Sequence, residues 1–445
     1  MTEPALQIPV ADEVDVLVVG GGMTGVAAAL SAARLGLRTL IIEQFNCLGG
    51  TATSGAHNHI SQFTSWSSPE RIVGGIPYEL AQRLLREKYA TWDGSCVDFN
   101  VEGMKLTLDR MAAEAGVAVL YYTFFCDSLV QDGRVTGAIV QNKSGRQAIL
   151  ASRIIDCTGD ADVAALAGVH FHKGRESDGL CQPTTLMFTI AGVDWPRVAA
   201  WRKDFFMTEV WLKAQAEGIM APFQDRIMGF WHTDVLPDQV GVNMTHIIRA
   251  DSTDARQLTR ATIEGRRQAH HLVEVFRKVV PGMETCYLIS TAPSLGVRES
   301  RRIEGEVVLT EEDIMARRQW EDAICYGSFY IDIHNPAGPG MSSQTYWPEP
   351  GFHYQIPYRV MLPKVVDNLL VAGRCISTTH VALGSIRVMI TCMTLGEAGG
   401  AAAALSILKQ TSPRALPVGL LREQLKKQGA IVDEEGIARA NRALA

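Results

Sequence analysis

Three arginines crowd the stretch GVRESRRIEGE: Arg298, Arg301 and Arg302. A planar guanidinium fork at Arg298 or Arg301 could hold a carboxylate, or polarise a carbonyl while hydride is transferred. The competing reading is a structural ion-pair cluster with Glu299, Glu304 and Glu306, and Arg302 suits that reading best of the three. In YIDIHNPAGPG, His334 closes a strand-like run and Asp332 stands two residues earlier on the same face. Such a pair is an oriented proton acceptor, or else an anchor for the glycine and proline loop that follows. His170, His172, His270 and His271 read as surface or structural residues. No cluster has metal-ligand spacing, so no metal is expected.

These side chains need a scaffold, and DVLVVGGGMTGVAAALSAARLGLRTLIIEQ, from Asp15 to Gln44, has the form of one. Val16 to Val19 suit a parallel strand buried on both faces. Gly20, Gly22 and Gly25 fit a GxGxxG turn. The first allows the tight bend, the second lets a pyrophosphate approach the backbone, and the third lets helix pack on strand. Free amides at Met23 and Thr24 would point partial positive charge at phosphates. Glu43, next to Gln44, closes a second strand where a carboxylate can accept from a ribose and disfavours a 2′-phosphate. The reading is a dinucleotide site.

Beyond it, CLGGTATSGAHNH is a second glycine-rich segment in which Thr51, Thr53 and Ser54 offer hydroxyls. Helices are predicted around Pro77 to Lys88 and Val101 to Ala115. Short β-branched runs with turns at Asp132-Gly133 and Asn142 to Gly145 then read as a β-meander over 117–156. A strand ends at Thr158-Gly159, with Asp160 as the cap of the next helix. From Asp194 to Arg359 the composition turns aromatic and charged. Trp201, Phe205 and Leu212 are expected on one core-facing helical side. The last part, from Asn368, reads as a strand, a glycine-containing loop and a long helix of small residues.

The chain has 445 residues, 47% of them hydrophobic, enough for two or three domains, and a net charge of −6 with no basic run. Nucleic acid is therefore not an expected partner. The opening MTEPALQIPVADEVD does not read as a secretory signal, and no run is expected to approach the length of a membrane-spanning helix. Nine dispersed cysteines without a CxxC pair suit a cytoplasmic location and argue against disulfide-reductase chemistry.

Taken in order, VVGGGMTGVAAALSAARLG with LGGTATSG, IIDCTGDADVAALAG, QPTTLMFTIAGVD, LGVRESRRIEGEVVLTEEDI, YIDIH, IPYR and NLLVAGRCISTTHVALGSIRVM resemble the FAD-dependent oxidoreductase family of the glutathione-reductase-like flavoproteins. The likeness runs from Asp15 to about Leu408. It implies an α/β fold in which a Rossmann-like FAD-binding domain, with the meander, is assembled from 1–193 and 360–445 around an inserted α+β substrate domain, 194–359. It places the pyrophosphate at Gly20, Gly22 and Gly25, and the ribose at Glu43. The flavin side falls near Gly49, Gly50, Thr51 and Ser54, and adenine near the backbone of Phe125 and Cys126. Thr158 and Gly159 form the second glycine turn. Gly373 with Arg374 falls where related flavoproteins carry AGD or AGE, so an arginine stands here in the place of that acid. Ser385, Ile386, Arg387 and Val388 open the last helix, whose amides would stabilise negative charge at the flavin's C2 carbonyl. By a weak analogy with succinate dehydrogenase and fumarate reductase flavoproteins, His380 and Arg387 orient substrate. His57 and His59 approach the dimethylbenzene edge, as pocket residues in preference to covalent attachment points.

With a flavin supplying the redox chemistry, the implied function is oxidation or reversible dehydrogenation of a small polar organic substrate by hydride transfer to flavin N5. Only one GxGxxG occurs, so no second unit is left for NAD. The electron acceptor or donor is then oxygen, a quinone or a redox protein, and a homo-oligomer could form. Two alternatives stay open: a redox-neutral flavoenzyme, hydratase or isomerase, and the flavin subunit of an electron-transfer assembly.

Overall fold

The computed structural model describes residues 7–442, so part of the acidic N-terminal stretch lies outside the described residues. Strand β1 (Val10–Val19), helix α1 (Met23–Ala33) and strand β2 (Thr39–Ile42) form the expected βαβ opening. β1 runs parallel to β2 on one side, Val16 opposite Thr39, and parallel to Gly145–Asp156 on the other. Val16, Leu17 and Val18 have no solvent exposure, which is why an unbroken apolar run was needed there.

The sheet continues past β2 to Ala118–Leu120. At its other edge Gly145–Asp156 is shared by two partners. Its end pairs in parallel with Leu369–Val371, while its beginning pairs antiparallel with Arg134–Asn142, itself joined to Phe124–Gln131. The meander therefore starts at Phe124. The segment from Val117, expected within it, instead extends the parallel sheet, and Tyr122, at a φ of 53°, lies in the turn between the two.

The long helix Met389–Leu408, which two shorter helices follow, lies against α1 so closely that a Cβ on Gly396 would meet Thr24 O at 2.1 Å and one on Gly400 would meet Ala28 O at 2.1 Å. This corrects the expectation that no run has membrane-spanning length. The helix has the length and apolar composition of a span, but it is mostly buried inside the protein. A helix apolar on every side needs such enclosure.

A second core lies between an antiparallel sheet and helix Ala255–Val279. The strand order is Gly229–His232, Val240–Asn243, Phe188–Ala191, Tyr287–Thr291. Asp254 caps the helix by accepting from Gln257 N, and Leu272, Val273 and Phe276 fill the interface. The sheet begins at Phe188, upstream of Asp194, whereas Leu309, Tyr326, Phe352 and Tyr358 pack in the larger core with α1. The expected shared face of Trp201, Phe205 and Leu212 does not form. Trp195–Trp201 and Thr208–Ala216 are separate helices, broken where Asp204 accepts from Met207 N and Met207 turns to a φ of 54°. Phe205 and Leu212 are consequently 50% and 49% exposed, and Trp211 is the buried aromatic.

Candidate active site

The glycine turn between β1 and α1 distinguishes its three glycines sterically. A Cβ on Gly20, whose φ is 102°, would lie 2.5 Å from Cys157 O, and one on Gly25 would lie 1.9 Å from Gly20 O. A Cβ on Gly22 would meet nothing within 4 Å. Gly20 and Gly25 are thus required by the protein, while Gly22 keeps open a surface beside the N-terminus of α1, which no side chain caps. That is the cradle a pyrophosphate needs. Glu43, buried after β2, accepts from Gly21 N and Phe45 N, both at 2.8 Å, with one bond to each oxygen. Lone pairs remain for a ribose. Burial raises its pKa, against the lowering effect of those amides. Gln44 is exposed beside it.

The second glycine segment docks on this turn. Gly49 N donates to Gly21 O at 2.8 Å, and a Cβ on Gly50 would approach Gly22 Cα to 2.9 Å. Thr51 is exposed, whereas Ser54 is buried with its hydroxyl 3.4 Å from Cys47 Sγ. Phe125 pairs with Val140 and Asp127 with Ile139, which leaves Cys126 bulged between them with its backbone outside the ladder.

At the second turn, Asp156 is fully buried and accepts from Thr158 N, Thr158 Oγ1 and Ala164 N. Burial lifts its pKa to about 6. Asp160 is not the cap of the following helix, Asp162–Leu166. Thr158 Oγ1 accepts from Asp162 N instead, and Asp160 Oδ1 takes Arg374 Nη2 at 2.9 Å. Arg374 also donates to Ser300 Oγ at 2.7 Å. The acid expected after Gly373 is thus replaced by an arginine paired with an acid from the facing loop. Gly373 sits against Thr24, where a Cβ would reach Oγ1 at 2.7 Å.

Ser385 and Ile386 end the short helix His380–Ile386, and do not open the long helix of small residues. The Ser385 hydroxyl is taken by Tyr354 and Phe329 O. The chain breaks at Arg387 and Val388, and the uncapped helix start belongs to Met389–Leu408. Its first amides are the ones able to face an anion.

Arg387 Nη2 donates to Asp332 Oδ2 at 2.6 Å, and His334 Nε2 lies 3.3 Å from the same oxygen. Tyr330 precedes them on the same alternating face, while Ile331 and Ile333 point into the core. Arg298 is 6% exposed and, among the described residues, donates once, from Nη1 to Pro183 O at 2.8 Å. Burial and the neighbouring Arg387 charge lower its pKa to about 9, with Asp332 opposing. Burial and Arg298 push His334 down to about 3. Asp332 is held well below the carboxylate range: burial raises it, but the Arg387 charge and the hydrogen bond from His334 outweigh that. At neutral pH the cluster therefore contains two guanidinium cations, one carboxylate and a neutral imidazole.

Several polar atoms here are buried without a partner among the described residues: Asp332 Oδ1, His334 Nδ1, Arg387 Nε and Gln182 Nε2. Gln182 Oε1 accepts from His334 N at 3.3 Å. His57 joins from the second glycine segment, packed on Trp231 at 4.4 Å between centroids, with an unpartnered Nδ1 and a pKa lowered to about 3 by burial and by His59. His59 stacks on the same indole and pairs with Asp98 at 2.5 Å. Burial opposes the charge on His59, but the hydrogen bonds to Asp98 and Cys96 raise its pKa to about 10. Two further residues were not singled out from the sequence. His246, its ring 6.0 Å from that of His334, is held by Gly338 O and Gln224. Tyr330 stacks on Trp347 at 4.0 Å.

Arg301 and His380 are not brought to Asp332. Arg301 pairs with Asp162 at 2.7 Å on the strand Arg301–Ile303. His380 Nδ1 lies 2.8 Å from Glu299 Oε2, and Glu299 also binds Arg302 in a buried ion pair. Among the described residues no group of three or more His, Cys, Asp or Glu could hold a metal ion, and all nine cysteines are free.

The chain belongs to the FAD dependent oxidoreductase family, whose model matches residues 15–425. It is 32% identical over 157 residues to thiamine thiazole synthase of Desulfosudis oleivorans, covering 34% of this chain and 57% of that one. It is 29% identical over 192 residues to digeranylgeranylglycerophospholipid reductase 2 of Methanothermobacter thermautotrophicus, covering 40% and 47%. The chain thus spans about half the length of these curated relatives. A geranylgeranyl bacteriochlorophyll reductase-like structure from Thermoplasma acidophilum superposes with a TM-score of 0.47 at 15% identity, covering 97% and 96%. FAD is the family's cofactor, and the open face at Gly22, the buried Glu43 carboxylate and two uncapped helix starts fit it.

Proposed function

We propose that this flavoenzyme oxidises, or reversibly dehydrogenates, a small polar organic substrate at the cluster of Arg298, Asp332, His334 and Arg387. The observation that carries the reading is the neutral His334, whose Nε2 faces Asp332 while its Nδ1 is buried and unpartnered. With the proton on Nε2, Nδ1 holds a free lone pair and accepts the proton of a substrate hydroxyl or amine. Asp332 fixes the ring and balances the imidazolium that results, and Arg387 fixes Asp332. Bound FAD supplies the hydride acceptor. The glycine turns and Glu43 hold it, and the amides opening Met389–Leu408 favour negative charge beside it. Arg301 and His380 act structurally in this proposal, through Asp162 and Glu299.

Membership of the glutathione-reductase-like superfamily belongs to the same proposal, supported by the parallel sheet completed by the remote strand Leu369–Val371. So does a cytoplasmic location, supported by nine free cysteines. Anaerobic mixing of the FAD-loaded protein with alcohols, amines, sugars and hydroxy acids tests the reaction. Bleaching of the flavin by at least one class is the expected result. Turnover of a substrate with no net change in flavin oxidation level and no electron acceptor would instead establish the redox-neutral reading.

A further inference from the structure

Arg298 is buried with five N–H donors and, among the described residues, one hydrogen bond and no ion pair. Arg153 is the contrast: as deeply buried and also unpaired with a carboxylate, it places its donors on Ser406, Ser152 O and Thr411 O. Among the described residues, each guanidinium nitrogen of Arg153 is thus bonded, whereas of the three in Arg298 Nη1 alone is. The charge around it is unbalanced as well. It is flanked by Arg387, Asp332 and Tyr330, while burial holds His57, His246 and His334 neutral. Two cations against one carboxylate leave one positive charge uncompensated in a site shielded from water, where a counter-ion is strongly favoured.

The unpartnered atoms add a second requirement. Arg387 Nε and Gln182 Nε2 are donors in need of acceptors, whereas Asp332 Oδ1 and His334 Nδ1 are acceptors in need of a proton donor. One ligand meets both conditions if it carries an anionic acceptor at one end and a hydroxyl or amine beside it.

We infer that the substrate is a small hydroxy or amino carboxylate, whose carboxylate is taken by Arg298 and whose hydroxyl or amine faces His334 and Asp332. This rests on the oxidoreductase reading above and narrows its substrate class. Arg298 sets specificity here by rejecting uncharged analogues, since leaving its guanidinium unpaired is unfavourable.

Equilibrium binding to the full-length FAD-loaded protein, followed by perturbation of the flavin absorption, tests it without turnover. The probes are glycolate, lactate and mandelate against glycolamide, lactamide and mandelamide. At least one carboxylate should bind with a dissociation constant roughly tenfold or more below that of its amide. R298M should erase that preference and R298K should keep part of it, at unchanged FAD content. If R298M does not retain FAD, the wild-type comparison decides alone. Equal affinity for acid and amide, or no binding by any carboxylate, overturns the inference. The two proposals fail separately. Selective carboxylate binding without bleaching sinks the oxidation reading only, and bleaching by mandelamide as readily as by mandelate sinks the carboxylate reading only.

Discussion

Burial and Arg298 act on His334 in the same direction, which makes its charge state insensitive to ordinary pH. A proton acceptor must be deprotonated to work, and with a pKa of about 3 His334 is in that form throughout the usual range. The second-order rate of flavin reduction at low substrate, which reports the free enzyme, should therefore stay level between about pH 5 and 8, with no acid limb near the ordinary histidine value of about 6.5. A limb at that value would show that the imidazole is solvated in the working enzyme. Asp332→Asn keeps the shape but removes the charge that orients the ring, and should slow reduction roughly 100-fold while FAD remains bound. The absorption spectrum and a rapid-mixing trace measure both.

The elements impose a different kind of constraint, visible in how the three glycines of the first turn should respond to alanine. Gly25→Ala places a methyl on Gly20 O and should lower the melting temperature sharply or prevent folding. Gly22→Ala meets open space, so the apoprotein should melt as the wild type does while FAD affinity falls at least about tenfold. Equal loss of stability in both variants would remove the distinction between packing and ligand approach. This turn was legible in the sequence because strand, bend, helix and acid are consecutive. YIDIH was legible for a related reason: alternation with period two puts Tyr330, Asp332 and His334 on one side and Ile331 and Ile333 on the other. The choice among the arginines was not legible. Spacing alone cannot show that the strand pairing with Phe171–Lys173 starts at Arg301 and leaves Arg298 upstream of it. Gln182 and His246 reach the site only through tertiary folding, with no local pattern to mark them. The break between Trp201 and Thr208 hid behind a helical spacing that the turn closed by Asp204 on Met207 N interrupts.

On the scale of the whole molecule, the long helix Met389–Leu408 ties the cofactor region to the core, and it carries an acid in an apolar place. Glu397 is 1% exposed, accepts from Ile76 N at 3.0 Å, and has its pKa raised to about 8 by burial. The folded state therefore keeps a proton that the unfolded chain loses at about 4.5. Stability from this group is full below about pH 4.5 and is lost as pH rises through about 8. Glu397→Gln preserves the acceptor for Ile76 without a charge, so its melting temperature should exceed that of the wild type at pH 8 and match it near pH 4.5. A constant difference across that range would mean that Glu397 does not titrate as buried.

The proposed reaction oxidises substrate where Asp332, His334 and Arg387 meet. Its most direct test is the rate of anaerobic flavin bleaching by a saturating substrate in wild-type and His334→Gln proteins of equal FAD content. The arrangement predicts a fall of roughly 100-fold or more with the flavin spectrum intact. Equal rates in the two proteins would contradict it.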